Sequence, residues 1–527
     1  MRLKTYLTAI AVAVLVAACG SSDRPSPGSP GVGGGLSAEP VMAPATAAPC
    51  ARDTRAEAQG LPSTERIFGW IETLVGFGYR RTGTPAGYQA SAFVKCQFEA
   101  LGLENVHYLL ADSWSWHAEH ASLHVGNEPI DVFPMAHSFI TPDEAKVFST
   151  GPEGLNAELV DIGLGLVPGN LEGKIAVFDL KFLTPPALFA LATEFIWDPT
   201  LSIVEPSFFV ANPYQSTLAN VANAVMDAGA VGFIGVLTDY FDSNQYYNEH
   251  YGSTKIKIPG LWVTRKEGER LRSLMAKQPD AKAKLVMEGV NRRAMSRSVV
   301  GFLPGKSTDT IMVQSHHDSV WDGAVEDASG TASVLAQAQY FASQPPESRQ
   351  KTMMFVTFDS HFTGYQGHGE FFNQYIFNPD SPYKIVANVT LEHIAKQGVK
   401  GADDKLEITG QSELRGIFDT LGPTLKAVLI GAVIKNDLRR TAVLNAHPLC
   451  LSIGIPADSN GFCLQGIPTA TLISGPNYLY DAEDTLDKVA QDQLVPVAKT
   501  FIEVIDAIDA TPTPLIGIPI KSPLFNP

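Results

Sequence analysis

The sequence predicts an α/β protein with a mixed, largely parallel sheet covered by helices on both faces, plus a smaller inserted α/β unit. Two observations predict this fold. Strand-like and helix-like segments alternate from Ser296 to residue 510, an order typical of parallel sheets between helical layers. The apolar residues 311–313 precede imidazole and carboxylate side chains, a turn containing glycine and a helix that begins near Ser329. α/β proteins place their chemistry at such strand ends.

The composition indicates more than one domain and a substantial core. The chain has 527 residues, of which 45% are hydrophobic and 18% charged, and it is longer than one ordinary domain. The formal net charge is -16 and the chain has no basic run. Nucleic acid is therefore not an expected partner.

The N-terminal residues have the pattern of an export signal. Arg2 and Lys4 precede a mostly apolar run at 7–16, which is too short to span a bilayer as a mature helix. Val-Ala-Ala-Cys at 16–19 resembles a bacterial lipobox. Residues 1–19 are therefore predicted to be a lipoprotein signal peptide with Cys19 as the lipidated residue. The alternative is an ordinary secretory signal cut after a small residue.

The next segment has the composition of a tether. Residues 20–50 are rich in Gly, Ser, Pro and Ala, so they are predicted to be disordered. Gly20, and not Asp, follows the predicted lipidation site, which favours the outer membrane where the source has two membranes. The expected location is the cell envelope, on its extracytoplasmic side.

Four cysteines remain after the signal. Cys450 and Cys463 are close in sequence and are the expected disulfide, while Cys50 is expected to pair with Cys96. Buried free thiols are the alternative. No Cys/His spacing indicates a cysteine–zinc site.

The main domain is predicted in two parts. The first part, 51–144, contains two helical patterns within 65–104 that a turn-rich link at 79–85 separates. The second part is 291–510, and a proline-rich tail follows at 511–527. The elements predicted in the second part are strands at 297–303, 311–315, 351–358, 385–393, 404–408 and 468–473, and helices at 329–343, 364–376, 412–427 and 491–509.

The region between the two parts, 145–290, resembles a protease-associated domain. The segments that carry this resemblance are 173–175, 228–232, 258–260 and the helix start at 267–269. The resemblance implies an insert that shapes substrate access and carries no chemistry of its own.

Five segments of the main domain resemble one family in order and spacing. They are 316–318, 323–330, 358–367, 391–394 and 480–489. With 65–104 and the insert, they are similar to the zinc exopeptidase family of bacterial leucyl and Streptomyces-type aminopeptidases, glutamate carboxypeptidase and glutaminyl cyclase. This resemblance extends from 60 to 510 and implies a two-zinc site at the carboxyl edge of a sheet.

The resemblance also assigns metal ligands, some of which this chain has exchanged. It places the first histidine ligand at His316, the Asp that orients it at Asp318, the bridging acid at Glu326 and a later acid at Glu392. One imidazole and two carboxylates remain, and each Glu reaches about 1.5 Å further than Asp. The expected cofactor is one zinc ion with an open position for water. A shift of one place would make Asp327 the bridging acid.

The second metal position and the base differ from the family as well. The family's Glu-Glu pair falls on His361 and Phe362, and its last histidine falls on Tyr480. Since phenylalanine cannot bind zinc and neutral tyrosine is a poor ligand, the second site is expected to be empty. The same replacements count against cyclase activity. An imidazole accepts a proton at neutral pH, so His361 is expected to be the catalytic base, with a fourth ligand as its alternative role.

Four nearby polar residues are expected to be structural. His317 and His393 are predicted to point away from the site residue beside each of them. His368 is expected to be exposed near the start of a helix. Asp327 is expected to be a helix-entry carboxylate.

The expected function is an exported, lipid-anchored hydrolase of the aminopeptidase type, with a peptide as substrate and the membrane as a partner through the anchor. The alternative is a binding protein on a disused peptidase scaffold that recognises a peptide or protein. Convergence of His316, Glu326 and Glu392 on one point would favour the enzyme. A packed aromatic, Lys or Arg at that point would favour the binding protein.

Overall fold

The computed structural model describes residues 60–140, 146–167, 169–183, 187–203, 216–247 and 256–523. The predicted signal peptide with Cys19, the predicted tether and Cys50 lie outside the described residues. Within the described ranges, no helix combines the length and the apolar character needed to cross a membrane.

The described elements alternate along most of the chain. The strands are β1 Glu104–Val125, β2 Glu128–Ile130, β3 Phe133–Pro134, β4 Lys146–Ser149, β5 Leu155–Ala157, β6 Leu159–Asp161, β7 Ile175–Asp179, β8 Thr193–Trp197, β9 Gly232–Leu237, β10 Gly260–Thr264, β11 Ala283–Leu303, β12 Ser307–His316, β13 Lys351–Phe358, β14 Lys384–Leu391, β15 Lys396–Lys400, β16 Leu406–Ser412, β17 Arg415–Asp419, β18 Thr441–Asn445 and β19 Thr469–Ser474. The α-helices are α1 Thr64–Gly76, α2 Pro85–Ala100, α3 Ala187–Ala192, α4 Leu218–Asp227, α5 Arg265–Lys277, α6 Gly330–Ala342, α7 Gln366–Phe371, α8 Pro423–Lys435, α9 His447–Cys450, α10 Asn460–Leu464 and α11 Gln491–Ala510. Shorter helical turns lie at Ala324–Ser329, Pro346–Ser348, His361–Thr363, Phe372–Ile376, Leu486–Lys488 and Thr513–Leu515.

The largest sheet of the described residues has twelve strands and a parallel centre. Its order is β2-β1-β11-β13-β12-β14-β19-β17-β18-β8, with β4 and β5 paired to β11. Strands β13, β12, β14 and β19 are parallel neighbours, whereas β11 and β17 join them in antiparallel fashion. The predicted mixed, largely parallel sheet is confirmed.

Helical segments cover both faces of this sheet because its central strands carry apolar residues on both faces. In β12, Ile311 and Val313 belong to the same hydrophobic cluster as residues of α6 and α11. Met312 between them belongs to a second cluster that contains Phe371 of α7 and Phe462 of α10. Successive side chains of a strand point to opposite faces, so a continuous apolar run fills both layers.

A smaller sheet lies in the inserted region. Its order is β3-β10-β9-β7-β6, in which β10, β9, β7 and β6 are parallel and β3 is antiparallel to β10. Strand β3 comes from before residue 145, the predicted start of the insert. The resemblance to a protease-associated domain stays a prediction.

The predicted helix at 412–427 is wrong. Strand β17 occupies the middle of that range, between β19 and β18, and α8 starts only at Pro423. Proline fits the first turn of a helix but not its interior, so the helix cannot run through this position from residue 412. Sheet pairing of Arg415–Asp419 then outweighs local helical propensity.

The structure joins Cys450 to Cys463 by a disulfide between α9 and α10. Cys96 is disulfide-bonded too, and its predicted partner, Cys50, is outside the described residues. The Cys450–Cys463 bridge lies in a hydrophobic cluster with β18 and part of the loop before α10.

Candidate metal centre

The candidate site residues lie at the ends of parallel strands, at one edge of the sheet. His316 ends β12, His361 follows β13, and Glu392 and His393 follow β14. Glu326 lies in the helical turn before α6, where its backbone angles are not helical. Since neighbouring parallel strands end at the same edge, these side chains meet there.

Two imidazoles converge on the carboxylate of Glu326. Nε2 of His316 lies 3.2 Å from Oε1 of Glu326, and Nε2 of His393 contacts the other oxygen, Oε2. Nδ1 of His316 lies 3.0 Å from the carbonyl oxygen of Asp318 and 3.3 Å from its carboxylate. Nδ1 of His393 donates to the carbonyl of Ser474 over 2.7 Å. Both rings are therefore oriented through Nδ1, which leaves Nε2 of each facing Glu326.

This group has the features of a cation site. His316, Glu326 and His393 are buried and offer ligand atoms within 4.8 Å of one another. Within the described residues, Nε2 of His316 and both oxygens of Glu326 are buried without hydrogen bonds. Buried polar atoms without hydrogen bonds destabilise a folded protein unless another partner, such as a cation, satisfies them. Metal-binding histidines also characteristically donate their second N–H to a carboxylate or carbonyl.

The charges of His316, Glu326 and His393 shift one another's pKa values. Burial alone lowers an imidazole pKa, but the carboxylate of Glu326 outweighs this effect and raises the pKa of His393 to about 10. The pKa of His316 is also raised well above its usual range, by Asp318 and Glu326 against burial. Burial raises the pKa of Glu326, and the two imidazoles more than reverse this and lower it. The carboxylate is therefore held as an anion that requires cationic partners.

A second set of contacts surrounds His361. Its ring stacks on that of His316 with centroids 4.0 Å apart. Nδ1 of His361 lies 2.9 Å from Oδ1 of Asp458, and its Nε2 lies 3.7 Å from Oε1 of Glu326. His368 contacts the other oxygen of Asp458 at 3.6 Å, and these two histidines lower the pKa of Asp458 against the effect of burial. His316, His361 and Asp458 form a second group of possible ligands.

The predicted ligand Glu392 is not part of either group of possible ligands. Its Oε1 accepts the backbone N–H of Asp458 at 3.1 Å, and burial, followed by the charge of Asp458, raises its pKa well above the usual range. The prediction that His393 is structural and points away is wrong. Strand β14 ends at Leu391, and His393 has a left-handed φ of 56°. The alternation of an extended strand therefore stops before His393.

Glu326, and not Asp327, belongs to a group of possible ligands among the described residues. Oδ1 of Asp327 accepts the backbone N–H of His393 at 3.2 Å and that of Gly330 at 3.0 Å, while Oδ2 accepts the hydroxyl of Ser315. Asp327 thus binds the start of α6 and the end of β14, as expected of a helix-entry carboxylate.

The remaining predicted residues have structural surroundings. His317 is buried, its Nδ1 lies 3.0 Å from the Thr357 hydroxyl, and burial lowers its pKa to about 4. The expectation that His368 is exposed is wrong, because it is buried and its ring stacks 3.7 Å from that of Phe358. Phe362 and Tyr480, at the predicted second metal position, pack perpendicular to each other with centroids 6.0 Å apart.

Buried Arg80 holds the loop that follows β12. Its guanidinium donates to the carbonyls of His317 at 3.0 Å, Asp322 at 2.6 Å and Gly323 at 2.8 Å. Burial lowers its pKa to about 10, so it remains a cation at neutral pH. Asp484 continues this support, because its two oxygens accept the N–H groups of Val325 and Glu326, each at 2.8 Å.

Sequence reasoning missed Asp458 and assigned His393 and His368 to other roles. Asp458 lies in the loop before α10 and belongs to none of the segments that resemble the exopeptidases. A signal for His393 was present, since an imidazole directly follows a predicted acidic ligand at a strand end. The backbone turn that aims it could not be read from the sequence.

Comparison with known proteins gives a partial family match and a shared fold. A family model described as Peptidase family M28 matches residues 298–505. A peptidase M28 precursor from Shewanella amazonensis SB2B is 17% identical, with a TM-score of 0.61 over 87% of this chain and 96% of that one. BSAP, a zinc aminopeptidase from Bacillus subtilis, is 17% identical, with a TM-score of 0.59 over 88% and 100%. An aminopeptidase from Aneurinibacillus sp. strain AM-1 is 19% identical, with a TM-score of 0.55 over 88% and 98%. No curated protein matches.

The matched segment contains every strand end that contributes to the candidate metal centre, from His316 to Ser474. At identities below 20%, the solved structures establish the fold alone. The family match and the shared fold agree: residues 298–505 match the model of peptidase family M28, and the chain is similar in fold to solved aminopeptidases.

Proposed function

We propose that the protein is a metal-dependent hydrolase of the aminopeptidase type, with one zinc ion held by His316, Glu326 and His393. The observation that carries this proposal is the convergence of two Nε2 atoms on one buried carboxylate. Two histidines and one glutamate are a donor set found in catalytic zinc sites with an open fourth position. The zinc aminopeptidase of similar fold from Bacillus subtilis supports the choice of metal.

The geometry around His316 favours one ion over two. Because Asp318 holds Nδ1 of His316, only Nε2 remains for a metal. One nitrogen binds one ion, so the two groups that share His316 are alternatives and not a pair. The group with Glu326 is favoured because both of its imidazoles are held through Nδ1, whereas His361 uses its own Nδ1 to contact Asp458.

The protein residues then have distinct tasks in amide hydrolysis. When bound, zinc supplies a Lewis acid and lowers the pKa of a water molecule. Asp318 and Ser474 hold the tautomers of His316 and His393. Asp458 holds Nδ1 of His361, so that Nε2 faces the site and accepts the proton of the attacking water.

Metal analysis of purified variants tests this proposal. We expect about one zinc ion per wild-type chain and its loss in Glu326→Gln and His393→Gln, because each removes a charged or coordinating ligand atom. Glu392→Gln is the matched control, since it changes a neighbouring buried acid that lies outside both groups, and it should retain the metal. Hydrolysis of aminoacyl 4-nitroanilides should follow the metal content.

Two outcomes would count against the proposal. Metal-free wild-type protein without hydrolysis would favour the binding-protein alternative, for which the packing of Phe362 against Tyr480 is the only supporting feature within the described residues. Loss of metal in Glu392→Gln with retention in His393→Gln would return the ligand set to the one predicted from the sequence.

We also propose that the protein is exported and anchored in the cell envelope through lipidated Cys19, where it meets peptide substrates. The lipobox-like sequence at 16–19 supports this. In the source organism, the wild type should fractionate with membranes and Cys19→Ser should be soluble, because one thioether-linked lipid anchor is lost. Wild-type protein in the soluble fraction, with a free N-terminus after residue 18, would indicate the ordinary secretory signal.

A further inference from the structure

We propose that Arg81 binds a carboxylate of the substrate in a pocket beside the candidate metal centre. The preferred substrates would then be peptides or amides that carry a carboxylate near the scissile bond. This inference rests on the proposed hydrolase function, and it names the substrate class of the same site.

Arg81 differs from its neighbour Arg80 in how its donors are used. Arg80 donates from Nε and both terminal nitrogens to backbone carbonyls. Arg81 uses only Nε, which donates to the carbonyl of Val320 at 2.9 Å. Its terminal nitrogens have no hydrogen-bond or ion-pair partner among the described residues. Four donor hydrogens of a cation are therefore available.

Arg81 is partly buried, and its surroundings do not neutralise its charge. Its guanidinium carbon lies 5.4 Å, 5.5 Å and 5.8 Å from the ring centroids of Tyr79, Trp321 and Tyr247. Burial lowers its pKa, and the groups that oppose this effect are the tyrosines, not a carboxylate. Aromatic faces stabilise a cation only in part, and a desolvated guanidinium is strongly stabilised by a bidentate carboxylate.

Arg81 also lines a small recess. The enclosed part of this recess has a volume of about 10 Å³, room for about one water molecule, and it is lined by Arg81, Trp114, Trp116, Tyr247 and Phe362, among others. Other polar groups of this wall are already engaged. The indole of Trp114 donates to the Thr363 carbonyl, that of Trp116 donates to a backbone carbonyl, and the Tyr247 hydroxyl contacts an imidazole at 2.6 Å.

Phe362 connects the pocket to the candidate metal centre. Its ring centroid lies 5.6 Å from that of Tyr247 on the pocket side. On the other side it lies 5.9 Å from His316 and 4.7 Å from His361. One aromatic ring thus separates the guanidinium pocket from the proposed ligands and base. A substrate that extends past this ring would place its carboxylate near the bond that is cut.

Two sources of carboxylate are compatible with this placement, the C-terminus of a short peptide and an acidic side chain. Paired substrates distinguish them: Leu-Gly against Leu-Gly-amide, and Asp-4-nitroanilide against Asn-4-nitroanilide. We expect at least one acid to exceed its amide partner by about tenfold or more in kcat/KM, since charged hydrogen bonds are stronger than neutral ones. The pair that shows the preference identifies the source.

Arg81→Gln should remove the preference mainly through KM, while kcat/KM for the amide substrates stays within about threefold. Arg81→Lys should retain part of the preference, because it keeps the charge but lacks the bidentate geometry. Zinc content and unfolding temperature equal to those of the wild type show that the variants remain folded and loaded. Equal rates for acids and amides in the wild type, or equal losses for both in Arg81→Gln, would overturn the inference and leave the hydrolase proposal standing.

A binding measurement distinguishes failure of the carboxylate-site inference from failure of the hydrolase proposal. Calorimetric titration with N-acetyl-phenylalanine and with its amide reports on the pocket without turnover. Tighter binding of the acid by wild type, lost in Arg81→Gln, supports the carboxylate site even where no hydrolysis occurs, in which case only the hydrolase proposal has failed. Equal affinities for acid and amide, together with the absence of a kinetic preference, reject the inference.

Discussion

At the residue scale, the role of His361 depends on which of its nitrogens is held. Nδ1 faces Asp458 at 2.9 Å, and Nε2 faces the Glu326 carboxylate at 3.7 Å. This is the arrangement of an oriented imidazole base, in which a buried carboxylate fixes the tautomer and stabilises the imidazolium that forms. His361 on one side of Asp458 and His368 on the other lower the pKa of that carboxylate against the effect of burial.

The variant Asp458→Asn therefore distinguishes the two possible roles of His361, catalytic base and metal ligand. We expect kcat to fall by about 10²-fold or more, the contribution typical of an oriented base, with zinc content unchanged. Metal analysis and steady-state kinetics on the same preparation measure both quantities. The control is Glu392→Gln, which keeps an acceptor for the backbone N–H of Asp458 and should change kcat much less. Loss of zinc in Asp458→Asn would instead make Asp458 and His361 ligands.

The residues of the site differ in how far the sequence could predict them. His316, Asp318 and Glu326 lie in a motif that keeps the order and spacing of the family pattern although Glu326 stands at the position of the bridging Asp. Their positions therefore follow from that pattern. The positions of His393 and Asp458 at the site do not follow from the family pattern. The first depends on a left-handed backbone that ends strand alternation, and the second comes from a loop whose path is set by tertiary packing.

At the element scale, the link between α1 and α2 acts on the loop after β12. The guanidinium of Arg80 is fully buried and donates to the carbonyls of His317, Asp322 and Gly323 in that loop. Its neighbour Thr82 donates to Asp359 at 2.6 Å, just after β13. The turn-rich segment 79–85 thus fixes the positions of two strand ends that carry site residues.

Replacing Arg80 should be costly. Arg80→Ala leaves the carbonyls of His317 and Asp322 without the donor that they have in the wild type. The loss of each such hydrogen bond costs about 1–3 kcal/mol, so we expect the free energy of unfolding to fall by about 2 kcal/mol or more. Urea denaturation measures this loss. The control is Arg439→Ala, which removes an exposed ion pair with Asp437 and should change stability by less than about 1 kcal/mol. Equal effects of the two variants would contradict the role assigned to Arg80.

Elements were predictable where local pattern and tertiary pairing agree. Strand β13 matches the predicted 351–358 because every residue is buried and its middle, residues 353–356, is a continuous apolar run. The two long antiparallel strands β1 and β11, 22 and 21 residues, were not predicted as a pair. Their outer halves are partly exposed and polar, and their partners lie more than 150 residues apart in sequence, a distance over which no local pattern carries information.

At the scale of the whole molecule, the chain buries several carboxyl groups outside the candidate site. Asp419 is an example at the end of β17. It is fully buried, and burial raises its pKa to about 7, although Lys426 at 3.6 Å opposes this. Its Oδ1 accepts the N–H of Leu421 at 3.2 Å, a bond that an asparagine oxygen can also accept.

The raised pKa of Asp419 predicts how the free energy of unfolding changes with pH. An unfolded aspartate has a pKa of about 3.9, so between about pH 4 and pH 7 the folded state binds more protons at this position than the unfolded state. Its contribution to stability is therefore present at low pH and is lost as the pH rises through about 7. Asp419→Asn removes this dependence. The difference in free energy of unfolding between the variant and the wild type should therefore shift in favour of the variant from about pH 5 to about pH 8, by at most about 3 kcal/mol. Urea denaturation at the two pH values measures the gain, and a difference between variant and wild type that is the same at both would show that Asp419 is ionised in the folded protein throughout this range.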